Sequence, residues 1–306
     1  MKKTNKAVLK GIMICAVFAG QIWAGGKGGT TAVPFLTMGA GARALAMGVA
    51  ATVASRDSTA LYWNPGALMG MEGQSATFMH AAAMENSFYD YAAFARHKGP
   101  SAWGASLQYF SAGSIDTTDT AGEKSGAMTP NDAALTGGYA RSIGGYGVGG
   151  SVKYVQSSLL NTARAMAVDG GIMTPRFFGD RLRAGLSLAN LGSKIKYDQE
   201  SAPLPMTWRG GVEAYPHKGW TGALDAVAPK GESMHLAFGA EYRLTFAQEM
   251  NISLRGGYNT RPSGGGKAEG LSAGMGFGWR GLDVDYAFVS HGDLDPSQVI
   301  SVGYRF

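Results

Sequence analysis

From residue 74 onward the chain repeats segments of roughly ten residues in which apolar side chains alternate with small or polar ones. In residues 101–110, Trp103, Ala105, Leu107 and Tyr109 share a face opposite Gly104, Ser106 and Gln108. Leu236, Phe238, Tyr242, Leu244 and Phe246 oppose Glu241 and Arg243, and Ile252, Leu254 and Tyr258 oppose Asn251, Ser253 and Arg255. A period of two is that of a strand with one face in an apolar medium and the other in a polar one. About fourteen such segments start near residues 74, 87, 101, 131, 145, 163, 181, 206, 219, 234, 249, 269, 281 and 298. An even count, tight connections such as Gly144-Gly145 and Arg280-Gly281, and long ones at 111–130, 192–205 and 261–268 predict an all-β transmembrane antiparallel barrel. A soluble sandwich also alternates, but Trp103, Tyr154, Trp208, Trp279 and Tyr304 stand on the apolar face near segment ends, where an interfacial girdle belongs.

The last strand extends the pattern to the chain end. Ile300, Val302, Tyr304 and Phe306 fall on one face, with Ser301, Gly303 and Arg305 on the other. A strand closing on an aromatic carboxylate resembles the terminal assembly signal of bacterial outer-membrane barrels and implies the barrel-assembly machinery as a partner. On the polar face, Arg183, Arg209, Glu213, Glu241, Arg243, Arg255 and Arg280 are read as lumen-facing charges. Both signs are present, which suggests a paired, hydrated interior rather than an ion-selective pore. Inward glycines leave room for another element to approach the wall.

The N-terminus adds a localisation. Lys2, Lys3, Lys6 and Lys10 precede an apolar run too short to span a bilayer, so residues 1–24 read as a secretory signal. Cys15, the single cysteine, falls within it, leaving a mature chain without thiol chemistry. Removing the four signal lysines brings the formal charge from +5 to about +1, which gives no electrostatic footprint for nucleic acid. Residues 25–73, rich in small side chains, are expected to form a plug inside the barrel of residues 74–306.

Residues 35–44, with Phe35-Leu36, Gly39, Gly41 and Arg43, followed by Met47-Gly48 and by Tyr62-Trp63-Asn64-Pro65, resemble the N-terminal signature of the PorV/PorQ family of outer-membrane proteins, relatives of FadL-type barrels. Asn190-Leu191-Gly192 with Leu204-Pro205, and the block from Asp285 to Phe306, resemble its middle and closing blocks. Family members commonly read Asn-Pro-Ala-Gly where this chain has Asn64-Pro65-Gly66-Ala67, and Val49 replaces a usual second glycine. Both changes are read as conservative for a tight turn. The resemblance implies a FadL-like barrel of 14 strands in the outer membrane. It further implies a non-enzymatic role in type IX-like secretion and surface attachment, with a translocon and secreted cargo as partners. A passive channel for hydrophobic small molecules and a purely structural envelope barrel are the alternatives.

No catalytic, cofactor or metal set is expected. Gly270-Leu271-Ser272-Ala273-Gly274 matches a hydrolase elbow in spelling, but it lies in a glycine-rich strand without the required turn into a helix. The five histidines are scattered, and Asp116, Asp119 and Glu123 lack the glycine and ligand order of a calcium loop.

Overall fold

A computed structural model describes residues 31–82, 86–118, 123–159, 161–198, 200–247, 249–261 and 268–306. The signal segment 1–24 and Asp119 lie outside the described residues.

Fourteen antiparallel strands close into a barrel. In chain order they begin with β1 (Gln74–Ala82), β2 (Phe88–Lys98) and β3 (Ser101–Ser111). A hairpin of β4 (Ile115–Thr118) and β5 (Lys124–Met128) stands outside the sheet before β6 (Asn131–Ile143), β7 (Tyr146–Ser158), β8 (Thr162–Met173) and β9 (Leu182–Gly192). A second hairpin, β10 (Ile195–Tyr197) and β11 (Glu200–Ala202), precedes β12 (Thr207–Ala214), β13 (Trp220–Pro229), β14 (His235–Ala247) and β15 (Met250–Asn259). The wall is completed by β16 (Leu271–Trp279), β17 (Leu282–His291) and β18 (Leu294–Arg305). Strand β18 pairs with β1, and the Phe306 N–H donates to the Gln74 carbonyl at 3.0 Å, so the chain end is also the closing seam.

Alternation decides which side chain faces where. Phe78, Trp103, Leu135, Val152, Phe238, Leu254, Met275 and Val302 are exposed on the outer surface, while their strand neighbours are buried or half-buried inside. This inversion, with large apolar groups outside and serines, threonines and charges inside, is the arrangement of an outer-membrane barrel. Gly144-Gly145 and Arg280-Gly281 make two-residue turns with positive φ at both positions, the hairpin geometry whose twist matches the strands. These turns lie at the barrel end that holds Gln74 and Phe306; the two extra hairpins lie at the opposite, long-loop end.

Residues 33–71 lie inside the barrel and are nearly all buried. Near the long-loop end, Phe35 and Leu36 of the 3₁₀ turn Pro34–Thr37 pack in one cluster with Ile195 and Leu204, and the Ala32 N–H donates to Pro203 O at 3.0 Å. The segment continues through the short helices Ala42–Ala46 and Ala60–Trp63 and the 3₁₀ turn Pro65–Gly70, which packs near the short-turn end, before entering β1. Two elements of this inner segment touch opposite stretches of wall: Ala42–Ala46 contacts β15 to β18, and Pro65–Gly70 contacts β6 to β9.

Candidate functional site

The residues singled out in the sequence converge on the contact between inner segment and wall. Gly39 and Gly41 hold positive φ values of 98° and 86°, where a side chain would be strained, and frame the entry to the first helix. The Gly39 N–H donates to the Tyr62 hydroxyl at 2.9 Å, and that hydroxyl donates to Leu36 O at 3.0 Å. Trp63 is fully enclosed: its indole N–H donates to Ala40 O at 2.9 Å, its own carbonyl accepts from Ser187 at 2.9 Å, and the Arg209 guanidinium lies 4.9 Å over its ring.

Asn64 and Pro65 begin the second 3₁₀ turn. The Asn64 amide oxygen caps the Gly66 N–H at 3.0 Å, and its NH₂ reaches Thr52 O and, across to β8, Ile172 O. Proline at the first position of such a turn loses no needed hydrogen bond. At Gly66 a methyl group would come within 2.7 Å of the carbonyl oxygens of both Gly147 and Gly171. The order Gly66-Ala67 therefore matters here: glycine sits where the wall is closest, and Ala67 fills a buried position.

Gly48 makes the second close approach. A Cβ there would meet Tyr258 N at 2.6 Å and Phe238 O at 2.7 Å, and one on the facing Gly257 would meet Gly48 N at 2.0 Å. Backbone thus lies on backbone, joined by hydrogen bonds from Gly48 N–H to Ser272 Oγ at 3.0 Å and from Ser272 Oγ to Ala46 O at 3.1 Å. The serine of the elbow-like spelling is occupied with this contact. Val49 has φ 64°, so replacing the usual second glycine is not conservative as the turn chemistry suggested: a β-branched residue is held in the left-handed region.

Arg43 is the charged anchor. It grips Glu241 of β14 with two hydrogen bonds, Nε to Oε2 at 2.8 Å and Nη2 to Oε1 at 3.1 Å, and also donates to Ala54 O. Glu241 accepts from Arg255 of β15 at 2.7 Å, and Arg255 reaches Asp285 of β17 at 2.7 Å. The guanidinium spans β16 over Gly276, where a Cβ would lie 2.6 Å from Arg255 Nη1. Arg43 and Arg255 are thereby satisfied by carboxylates in a buried chain of charge-assisted bonds.

Of the remaining expected lumen charges, Glu213 pairs with Arg56 at 2.6 Å, Arg243 stands 3.7 Å from Glu241, and Arg183 and Arg209 lie on inward positions of β9 and β12. Arg280 is a correction: it occupies the turn after β16 with φ 49°, is exposed, and pairs with Glu249 at 2.6 Å outside the lumen. Parity places it on the polar face, but the strand ends at Trp279. Ile300, Val302, Tyr304 and Phe306 are exposed on the outer face of the closing strand, the last two with ring centroids 4.8 Å apart.

Two contacts were not legible in the sequence. Asp225 of β13 accepts from the N–H groups of Ala51 and Thr52, both at 2.9 Å, and from the Thr52 hydroxyl at 2.7 Å. At a bulge between β8 and β9, Asp169 accepts from Asn190 N–H at 2.7 Å, while Lys153 donates to Asn190 Oδ1 at 2.6 Å. The Asn190 NH₂ then reaches Pro205 O at 3.2 Å, tying together the two halves of the middle block. Asn190 itself holds φ 59°, a conformation asparagine tolerates.

The model of the type IX secretion system protein PorV matches residues 25–211 of the sequence. No curated protein matches. Among solved structures, the Pseudomonas putida toluene transporter TodX is similar with a TM-score of 0.59 at 12% identity, over 88% of this chain and 98% of that one. A Pseudomonas aeruginosa FadL homologue gives a TM-score of 0.58 at 12% identity, over 92% of this chain and 100% of the other.

Proposed function

The chain belongs to the family of the type IX secretion system protein PorV, and from that premise we propose that it is a non-enzymatic outer-membrane component of protein secretion that binds translocon or cargo through its rims and loops. The observation that carries this reading is the attachment of the inner segment. The signature residues Arg43, Gly48, Trp63 and Asn64 are engaged in fixing that segment to the wall, on β14, β15 and β16 on one side and β8 and β9 on the other. A filled, rigid barrel suits a scaffold that presents loops. Solute passage in the manner of TodX, named a toluene transporter, would require these contacts to yield.

The test is genetic, in the organism of origin. Ser58 and Thr77 hydroxyls lie 2.8 Å apart, so a Ser58→Cys/Thr77→Cys pair would lock the inner segment to β1 in a mature chain expected to have no other cysteine. Loss of surface delivery of secreted proteins on gene deletion, restored by both wild type and the oxidised double variant, supports the proposal. Normal surface delivery combined with lost uptake of apolar hydrocarbons overturns it in favour of a channel.

A further inference from the structure

The longest connections at the short-turn end, 174–181 and 215–219, border a vestibule of about 550 Å³. Arg56, Arg176, Arg181, Lys218 and Arg243 line it, contributed by the inner segment, both turns and β14. Its two acidic lining residues are Asp180, which is exposed, and Glu241, which is already held by Arg43 and Arg255. Arg176, Arg181 and Lys218 form no ion pair with any described residue, and all three are exposed.

Tyr215 organises the cluster. The Arg176 guanidinium lies 4.5 Å and that of Arg56 5.0 Å from its ring centroid, so both planar cations are positioned without being neutralised by that ring. The Tyr215 hydroxyl donates to Glu213, which also holds Arg56 at 2.6 Å. Burial, and then the adjacent Glu213 carboxylate, push the Tyr215 hydroxyl above the ordinary phenol range, so it stays a neutral donor here. The volume lies within the range of built ligand sites, but the lining is far more cationic than an apolar-ligand pocket would be.

We propose that this vestibule is a docking site for an acidic peptide segment entering the barrel from the short-turn end. Cations run from the exposed turns, where Arg176, Arg181 and Lys218 are unpaired among the described residues, to the interior, where Arg56 is held by Glu213 and Arg243 stands 3.7 Å from Glu241, and so offer successive carboxylates successive partners. One small anion would engage only part of that row. The inference does not rest on the secretion reading, because the purified barrel alone, without translocon or cargo, is enough to test it.

The experiment is fluorescence anisotropy of fluorescein-labelled hexaglutamate with the full mature chain in neutral-lipid nanodiscs, with labelled hexalysine as control. Hexaglutamate is expected to bind and hexalysine not. Raising salt from roughly 50 to 200 mM weakens the binding, and Arg176→Glu/Lys218→Glu weakens it about tenfold or more. Heat-modifiable migration reports whether that variant folds; if it does not, the milder Lys218→Gln is expected to weaken binding in the same direction. Equal binding of hexalysine, no loss in a folded variant, or displacement of hexaglutamate by an equal concentration of inorganic phosphate would overturn the proposal.

Discussion

Arg43 and Glu241, 198 positions apart in sequence, form a two-bond ion pair between the inner segment and the barrel wall. Glu241 also holds Arg255, so the two partners are not equivalent. Removing Glu241 leaves the buried Arg43 guanidinium without a carboxylate and Arg255 with Asp285 alone, whereas removing Arg43 leaves Glu241 paired with Arg255. Glu241→Ala is therefore expected to cost about 3–5 kcal/mol and Arg43→Met clearly less, with the double variant no worse than Glu241→Ala. Urea midpoints from heat-modifiable migration in gels check the order; equal losses in the two single variants would count against it.

Gly256 and Gly257 are neighbours in β15 with opposite surroundings. A methyl group at Gly257 strikes the backbone of Met47 and Gly48, while at Gly256 it meets nothing within 4 Å. Gly257→Ala should destabilise by about 1–3 kcal/mol and expose the inner segment to protease. Gly256→Ala should leave both properties unchanged, and limited proteolysis of the two folded barrels decides the matter.

The middle block predicts a similar asymmetry at the β8/β9 bulge. Asp169 accepts from Asn190 N–H, Ser151 and Lys153, so Asp169→Ala strands a buried ammonium and leaves a backbone donor unmet. Lys153→Met removes the charge that needs the partner and is expected to be milder by at least about 1 kcal/mol. Thermal midpoints of the two variants give the comparison.

At the chain end, deleting Phe306 removes both an outward aromatic and the N–H that closes on Gln74 O. Ser301 faces inward, and its hydroxyl accepts from Ala42 N–H at 3.2 Å. Deletion of Phe306 should reduce the yield of heat-modifiable barrel, while Ser301→Ala should assemble normally. Equal yields would remove the terminal strand from the assembly signal.

How far the sequence could be read follows from how far each contact reaches. Strands in the apolar zone were legible because alternation is enforced there residue by residue, as in Trp103 to Gln108, and most starts fall within one position of the observed ones. Strand β18 starts at Leu294 rather than 298 because Asp295, Pro296 and Ser297 carry no alternation. Pro296, lacking an N–H, falls where the pairing with β17 slips between Val289 and His291. The β4–β5 and β10–β11 hairpins sit within what reads as long loops, too short and polar to show a period. Inward glycines announced that something approaches the wall, but not what. Arg43 and Glu241 could each be placed near the lumen, yet their pairing depends on the closed barrel, and Asp225 carries no local signal of its contact with Thr52.

The most direct test of the central claim is affinity purification of the tagged protein from its native outer membrane in mild detergent, with mass spectrometry of what accompanies it. A partner-binding secretion barrel predicts recovery of a translocon subunit or secreted cargo, lost when the outer loops are shortened and retained in the Ser58→Cys/Thr77→Cys lock. Recovery of the barrel with only lipid or apolar small molecules would contradict it.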